Sequence, residues 1–430
     1  MELIVLPRIA HAAVRMYTKL HTKKELVMKF VKGLRTIIML AIFFFAWFSN
    51  SVNAKILWSK DLSDANTNSV PLASCLNKDS NGIIVMTREC PKGDFPYPGG
   101  DLALWEIGID GNIARTTPKD TNGNRIWIDS YSIGRRIASD KLGNLFIVGM
   151  LSKPGERQKI AVISKADKAE RIMSTSGSID NYSIIKMIPS RDNAFVLVGK
   201  RDSVGSCLRI DSQGRTSQEK LLNKDKMNIF SGIDQIKSDD SNLALAGVSF
   251  GMMSRNPNEN LSENSIFLCD SNLKTIYEDH FTGGRSYFLL SPKVCCLNNG
   301  NIVVLYEKEN ADPNKTLLWT RCYTKELKLL WDKEVFVADK PTFAMDITAR
   351  GSGGFTVGVI QYIVQQSNSL EFDSFDNEGS KIEQINHKGI FGIEGFNLMH
   401  LNNKVIVVVE ELTPVNSKDA SMKAKVIALD

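Results

Sequence analysis

The sequence predicts an all-β chain, a seven-bladed β-propeller of four-stranded antiparallel blades closed by pairing of its N- and C-terminal strands. Three observations predict it. A unit of roughly 50 residues recurs along the chain, the period expected of stacked or radial repeats. Within each unit one short, continuous apolar strand returns, bounded by turn residues. The last segment, Lys423–Asp430, is a strand with no partner after it, and Lys55–Leu62 (KILWSKDL) closely copies Lys328–Val335 (KLLWDKEV), which follows such a strand in mid-chain. The start of the fold is therefore expected to supply the final strand of the last repeat.

The units are read at 69–118, 135–176, 183–222, 229–281, 287–336, 341–387 and 392–430, the last completed by 55–62. The second strand of each is the clearest, as in Asn144–Gly149 (NLFIVG), Ala194–Gly199 (AFVLVG), Leu243–Gly247 (LALAG) and Phe355–Gly358 (FTVG). Looser copies are Ile83–Met86, Ile302–Leu305 and Val405–Val409. Such β-branched apolar runs suit a strand buried on both faces. A third strand ending in Asp recurs at Asp110-Gly111-Asn112, Asp211–Gly214 and Asp376–Gly379. Gly accepts positive φ and Asp bonds the turn backbone, so these Asp residues are read as turn formers rather than catalysts. Sheets arranged radially bury both faces against their neighbours and leave only short edges.

Residues 1–54 are read as an N-terminal extension and signal peptide, and 55–430 as one propeller domain. Ile37–Phe48 (IIMLAIFFFAWF) is an apolar run shorter than the roughly 20 residues a spanning helix needs. Lys29, Lys32 and Arg35 precede it, and Ser51-Val52-Asn53-Ala54 follows with small residues suited to cleavage after Ala54. Met28-Lys29-Phe30 makes a more usual start for such a leader than Met1. The expected location is extracytoplasmic, periplasmic or secreted, with no transmembrane segment in the mature chain.

Residues 1–54 hold eight Lys and Arg against two Asp and Glu, which leaves 45 basic and 46 acidic residues in the rest. The formal charge of +5 therefore belongs to the leader. No basic footprint for nucleic acid remains. All seven Cys (75, 90, 207, 269, 295, 296, 322) lie beyond the leader. An oxidising compartment permits disulfides, but the number is odd and no spacing fits zinc. Cys207 and Cys269 read as core residues, Cys75 and Cys90 flank one hairpin and are candidates for a bridge, and adjacent Cys295 and Cys296 point to opposite sides of their strand.

Turns joining first to second and third to fourth strands are tight and share one face. The opposite face carries the long connections, and function concentrates on loops held by a rigid scaffold. Phe95 and Tyr97 lie in the Pro-rich loop 91–100, Trp127 and Tyr131 in the passage 118–134, and Arg255 in the loop 251–264. With Arg285, these are the candidate binding residues. Arg135, Arg136 and Arg285 sit at or before inner strands, where they line the central channel and meet an anionic ligand or else bridge neighbouring blades. His280, His387 and His400 come from different repeats without metal spacing and read as structural. Asp120-Thr121-Asn122-Gly123-Asn124 imitates the start of a calcium loop, but Tyr131 stands where the loop needs its Glu. No nucleophile elbow or phosphate loop occurs, so no catalytic residue, metal or cofactor is assigned.

On its repeat pattern the chain resembles exported bacterial β-propellers of the broad WD40-like and quinoprotein-like kind, over nearly all of 55–430. It has no Gly-His…Trp-Asp repeats and no sialidase-type Asp box, so the resemblance carries over no functional residues. The expected function is a non-catalytic binding or assembly module, offering its long-loop face to a protein or glycan partner of the cell envelope or exterior. The alternative is a carbohydrate-active or other hydrolase or lyase with acidic residues at the channel mouth. A quinone-dependent dehydrogenase ranks third, for want of a recognisable cofactor pocket.

Overall fold

The computed structural model describes residues 56–63, 67–77, 79–91, 99–119, 123–129, 136–140, 143, 145–149, 158–164, 171–179, 182–190, 194–202, 204–211, 215–222, 228–237, 242–249, 262–284, 291–308, 315–338, 342–361, 368–412 and 422–429. The chain divides at Asn53–Ala54 into two units, and all described residues belong to the second. They form strands and turns. Among them no helix is long and apolar enough to cross a membrane.

β1 (Ile56–Leu62) is followed by the first sheet, built from β2 (Thr67–Leu76), β3 (Gly82–Pro91), β4 (Gly99–Gly108) and β5 (Ile113–Thr116), with β6 (Trp127–Asp129) pairing β4. The second sheet holds β7 (Arg136–Ser139), β8 (Leu145–Gly149), β9 (Gln158–Ser164) and β10 (Arg171–Ile179). The third holds β11 (Tyr182–Pro189), β12 (Phe195–Arg201), β13 (Val204–Ile210) and β14 (Thr216–Leu221). The fourth holds β15 (Asn228–Gln235), β16 (Leu243–Ser249), β17 (Glu263–Cys269) and β18 (Thr275–Thr282). In the fifth are β19 (Lys293–Cys296), β20 (Ile302–Glu307), β21 (Thr316–Tyr323) and β22 (Leu329–Ala338). The sixth consists of β23 (Thr342–Ala349), β24 (Phe355–Gln361), β25 (Asn368–Phe375) and β26 (Lys381–Gly389). The last combines β27 (Phe391–Leu401), β28 (Lys404–Leu412) and β29 (Met422–Leu429) with β1.

The fold is thus an all-β propeller of antiparallel blades. The expectation of seven uniform four-stranded blades is corrected: six sheets are four-stranded, and the one over 67–129 takes in a fifth strand. The extra strand comes from the passage to the second repeat, where Asp101 of β4 pairs Trp127 beyond the reach of the short β5. β1 pairs antiparallel with β29, from Ile56–Leu429 to Leu62–Ala424.

The apolar second strands are buried because each sheet has a neighbour on both sides. On β20, Val303 and Leu305 enter the cluster shared with the sixth sheet, while Ile302 and Val304 enter the one shared with the fourth. Cys295 and Cys296 divide the same way, so both are buried although they point in opposite directions. One further cluster joins Val426, Ile406 and Leu62 of the last sheet to Ile83, Val85 and Trp105 of the first. At ~1.5–3 kcal/mol for each large side chain fully buried, these inter-sheet layers are the main source of cohesion. No disulfide joins the described cysteines. The expected Cys75–Cys90 bridge does not form, because the two sit at opposite ends of their hairpin, Cys75 opposite Ile84 and Cys90 opposite Asn68.

The Asp turns do the work expected of them. Asp376 Oδ1 accepts from the amides of Glu378 (3.0 Å) and Ser380 (2.7 Å), and Asp270 Oδ1 from those of Asn272 and Lys274 (both 2.9 Å). The similarity between 55–62 and 328–335 also has a structural cause. Trp58 on β1 lies on Gly111 in the Asp turn of the first sheet, and its Nε1 donates to Ile109 O (3.2 Å). Trp331 on β22 lies on Gly379 in the Asp turn of the sixth sheet. Both glycines have positive φ, and a Cβ at Gly379 would come within 2.9 Å of the Trp331 ring. Each tryptophan therefore fastens an outer strand to the next sheet.

Candidate functional site

The first strand of every sheet lines the axis, and the pairing with the second strand fixes the height of each side chain. Seven pairs stand at one level: Ala73–Met86, Arg136–Val148, Lys186–Val198, Gly232–Ala246, Lys293–Leu305, Asp346–Gly358 and Asn397–Val408. The second-strand members fall within the recurring apolar runs, so the repeat itself sets this level. The axial members are nothing alike. Three are cations, one is an anion, one an amide, and Ala73 and Gly232 are small.

All of these axial residues except Gly232 line a central cavity of about 260 Å³, to which every sheet contributes. Gly232 has a packing role: a Cβ there would meet Val294 N of the neighbouring inner strand at 2.9 Å. Five of the seven inner strands are bulged near this level, the exceptions being β7 and β19. The five registers shift between Pro71 and Ala73, Ile184 and Lys186, Phe230 and Gly232, Thr342 and Ala344, and Gly392 and Asn397. A bulge inserts an unpaired residue and re-aims the side chains beside it, and bulges concentrate next to functional sites.

Polar contacts stitch adjacent inner strands around the cavity. Arg136 Nε donates to Ile185 O, Ser231 Oγ to Pro292 O (2.6 Å), and Asn397 Nδ2 to Ser74 Oγ (2.8 Å). Asp346 Oδ1 accepts from Ile347 N (2.9 Å) and Oδ2 from Leu398 N (2.8 Å). Asp234 repeats this between Gln235 N (2.9 Å) and Cys296 N (2.7 Å). These carboxylates are committed to holding sheets together.

The cations are differently placed. Neither Lys186 nor Lys293 has a hydrogen-bond or ion-pair partner among the described residues, and both are half-buried. Burial pushes the Lys293 ammonium down to about 8; Asp346 opposes that shift, and Lys186 and Arg136 add to it. Burial likewise draws the Arg136 guanidinium down to about 10 against the pull of Asp346. Like charges facing one another in a partly desolvated cavity lower one another in this way. Lys186 also lines a wider cavity of about 510 Å³ toward the inner hairpin turns, with Asp234, Lys237 and His400. There His400 Nε2 accepts from Gly351 N (3.0 Å), and burial lowers its pKa to about 4, so it is a neutral structural group.

Of the candidate residues from the loop face, Trp127 alone falls among the described residues. Phe95, Tyr97, Tyr131, Arg255 and Arg285 lie outside the described residues, as do Arg135 and Asp120. Trp127 falls on β6. Arg136 satisfies both expectations raised for it, lining the channel and bridging to the next inner strand. Lys186, Lys293, Asp346 and Asn397 were missed. Aligning the first strands on the second-strand runs would have placed them at one height.

Two further polar groups lie away from the axis. At the end of β20, burial raises Glu307 to about 7, and its Oε2 has no hydrogen-bond partner. Between the third and fourth sheets, Ser265 Oγ lies 3.0 Å from His280 Nδ1, with Glu263 at 3.6 Å and Glu278 at 3.9 Å from the same ring.

No family model matches the chain, and no curated protein matches it. Solved structures do. A polysaccharide lyase of family PL25, an ulvan lyase, aligns over 85% of this chain and 95% of its own at 9% identity, with a TM-score of 0.51. The β-propeller domain of the trilobed protease from Pyrococcus furiosus aligns over 84% and 94% at 8% identity (TM-score 0.46). AofleA from Arthrobotrys oligospora aligns over 77% and 89% at 8% identity (TM-score 0.44). At such identities the likeness is one of fold, and the chain is similar to these proteins as one β-propeller is to another.

Proposed function

We propose that the chain is an exported, non-catalytic binding propeller that takes its ligand at the central channel, with 55–430 as the working domain and β1 as the strand that locks the ring. One observation carries this reading: the axial carboxylates Asp234 and Asp346 each accept two backbone amides, while Lys186 and Lys293 face the cavity without hydrogen-bond or ion-pair partners among the described residues. Glycoside cleavage needs two carboxyl groups flanking the scissile bond. The axial pair is spent on the scaffold, which leaves recognition rather than proton transfer as the chemistry at hand. The long-loop face, with Phe95, Tyr97 and Trp127, remains the proposed approach for a protein or glycan of the envelope.

One group favours the second reading, a carbohydrate-active enzyme. Glu307, raised to about 7, suits a general acid. It lies outside the channel lining, and that ranks the enzyme second.

The test combines a thermal-shift panel of small anionic, neutral and cationic compounds with turnover assays on acidic and neutral polysaccharides. Stabilisation by a compound without turnover is the expected result. Turnover of any glycan that is lost in Glu307→Gln would replace this reading with the second. N-terminal sequencing of the exported protein is expected to begin at Lys55; an intact leader would refute the proposed cleavage.

A further inference from the structure

We propose that the central channel is a binding site for a small multivalent oxyanion, a molecule carrying two or more negative charges on carboxylate, phosphate or sulfate groups. Arg136, Lys186 and Lys293 would be its ligands. The inference rests on the reading that the channel is the ligand site, and it names the chemistry of the occupant.

Charge sets the class. Three cations and one carboxylate meet at one height, a formal excess of two positive charges in a cavity lined by all seven inner strands. The carboxylate attracts Lys293 and Arg136 but offsets only part of the excess, one negative charge against three positive. Two of the cations, Lys186 and Lys293, have no described partner of their own. A protein that sought only stability would put an apolar side chain at these positions, because a half-buried charge without a partner costs free energy. At the same height the first sheet places Ala73 and the fourth Gly232, which shows that the scaffold accepts a small residue there.

Geometry sets the size and mode. At about 260 Å³ the cavity is below the usual range for drug-sized ligands, ~300–1,000 Å³. It fits a few heavy atoms rather than a polymer segment. Arg136 is anchored through Nε to Ile185 O, which fixes the plane of its guanidinium. The two lysines supply mobile point charges from the third and fifth sheets. A fixed planar donor with two ammonium groups suits an oxyanion with several acceptors. Asn397 lines the same cavity, but its amide nitrogen is already committed to Ser74 O and Oγ.

The experiment is isothermal titration of the purified chain with pyrophosphate, citrate and sulfate, with acetate and chloride at matched ionic strength as controls. Lys293→Met, Lys186→Met and the double variant are titrated alongside. Each methionine keeps the length of the side chain and removes its charge, so each variant is expected to match or exceed the parent in melting temperature. Pyrophosphate or citrate should bind the parent, acetate should not, and each single substitution should weaken binding about tenfold. Equal binding by the double variant would overturn the proposal, since the anions would then bind elsewhere. A neutral compound that stabilises the parent while no multivalent anion does would also overturn it, leaving the channel as a ligand site of another chemistry. If compounds of no charge class stabilise the parent, this proposal and the channel reading fall together.

Discussion

The inner and outer strands of the sheets are interrupted in the same way and to opposite ends. Five inner strands bulge near the level of the cavity residues, among them β11 at Lys186 and β23 close to Asp346, whereas β7 and β19 run without a shift. Five outer strands bulge where they pair with the end of the neighbouring strand: β1, β14, β18, β22 and β26 each carry one extra residue there, at Leu57, Ser217, Ile276, Leu330 and Ile382. The outer bulge turns apolar side chains outward, with Ile382 55% exposed. It also breaks an edge that would otherwise offer another chain a straight row of free backbone groups. The residues after the outer bulges serve the scaffold, as Trp58 and Trp331 do in matching places. At the inner level the residues differ from sheet to sheet. A repeated backbone feature is thus used alike at the circumference and individually at the axis, and individuality within a repeat marks the place to look for a ligand.

The comparison breaks first at the terminal strand. Deleting 55–62 removes Leu62 and Trp58 from the layer between the last and first sheets and leaves β29 as a bare edge. The expected result is loss of the cooperative thermal transition, read by circular dichroism. A chain that melts as before would show that β1 is dispensable.

Trp58→Ala and Trp331→Ala sharpen it. Both rings lie on a positive-φ glycine of the next sheet, so the losses should be similar, about 2–3 kcal/mol each by urea unfolding. A large loss in one and none in the other would separate the two strands despite their similar sequences.

The axis should respond to pH through Lys293. Lys293 stands at about 8 in the folded chain against an ordinary 10.5, facing Asp346 on β23, Lys186 on β11 and Arg136 on β7. Between these values the unfolded chain binds more protons, so stability of the free protein should rise as pH rises through that window. Affinity for a dianion should fall over the same window, as the ammonium loses its charge. Titration calorimetry and urea unfolding across pH 7–10 would read both, and Lys293→Met should remove the stability rise.

The smallest effect belongs to the rim. Leu330→Ser and Ile382→Ser alter exposed side chains at bulges and should change stability by less than ~0.5 kcal/mol. A larger loss would mean that these residues are covered.

What the sequence made legible follows from how many sides of a strand are buried. The second strands were readable because both faces are covered, which forces a continuous run such as Phe195–Val198. The Asp turns were readable because Asp376 and Gly379 answer a backbone demand that few residues satisfy. The copy of 328–335 at 55–62 was readable because Trp58 and Trp331 perform one task. The inner strands were not. Their bulges break alternation, and their side chains at the critical height run from glycine to arginine. The cysteines misled for a related reason. A strand with two buried faces hides Cys295 and Cys296 equally, and a hairpin of this length keeps Cys75 away from Cys90.

The pairing of β1 with β29 sets an order on assembly. During synthesis Trp58 emerges among the first residues of the domain, while its strand partner Met422–Leu429 emerges after the other described strands. Intervening sheets meet their neighbours as they appear, but β1 must remain unpaired with β29 until the last sheet has been made. The ring therefore closes only once β29 is present. A ribosome that stops one strand short would release a chain with β28 and β1 both lacking the strand between them, a built-in check on length.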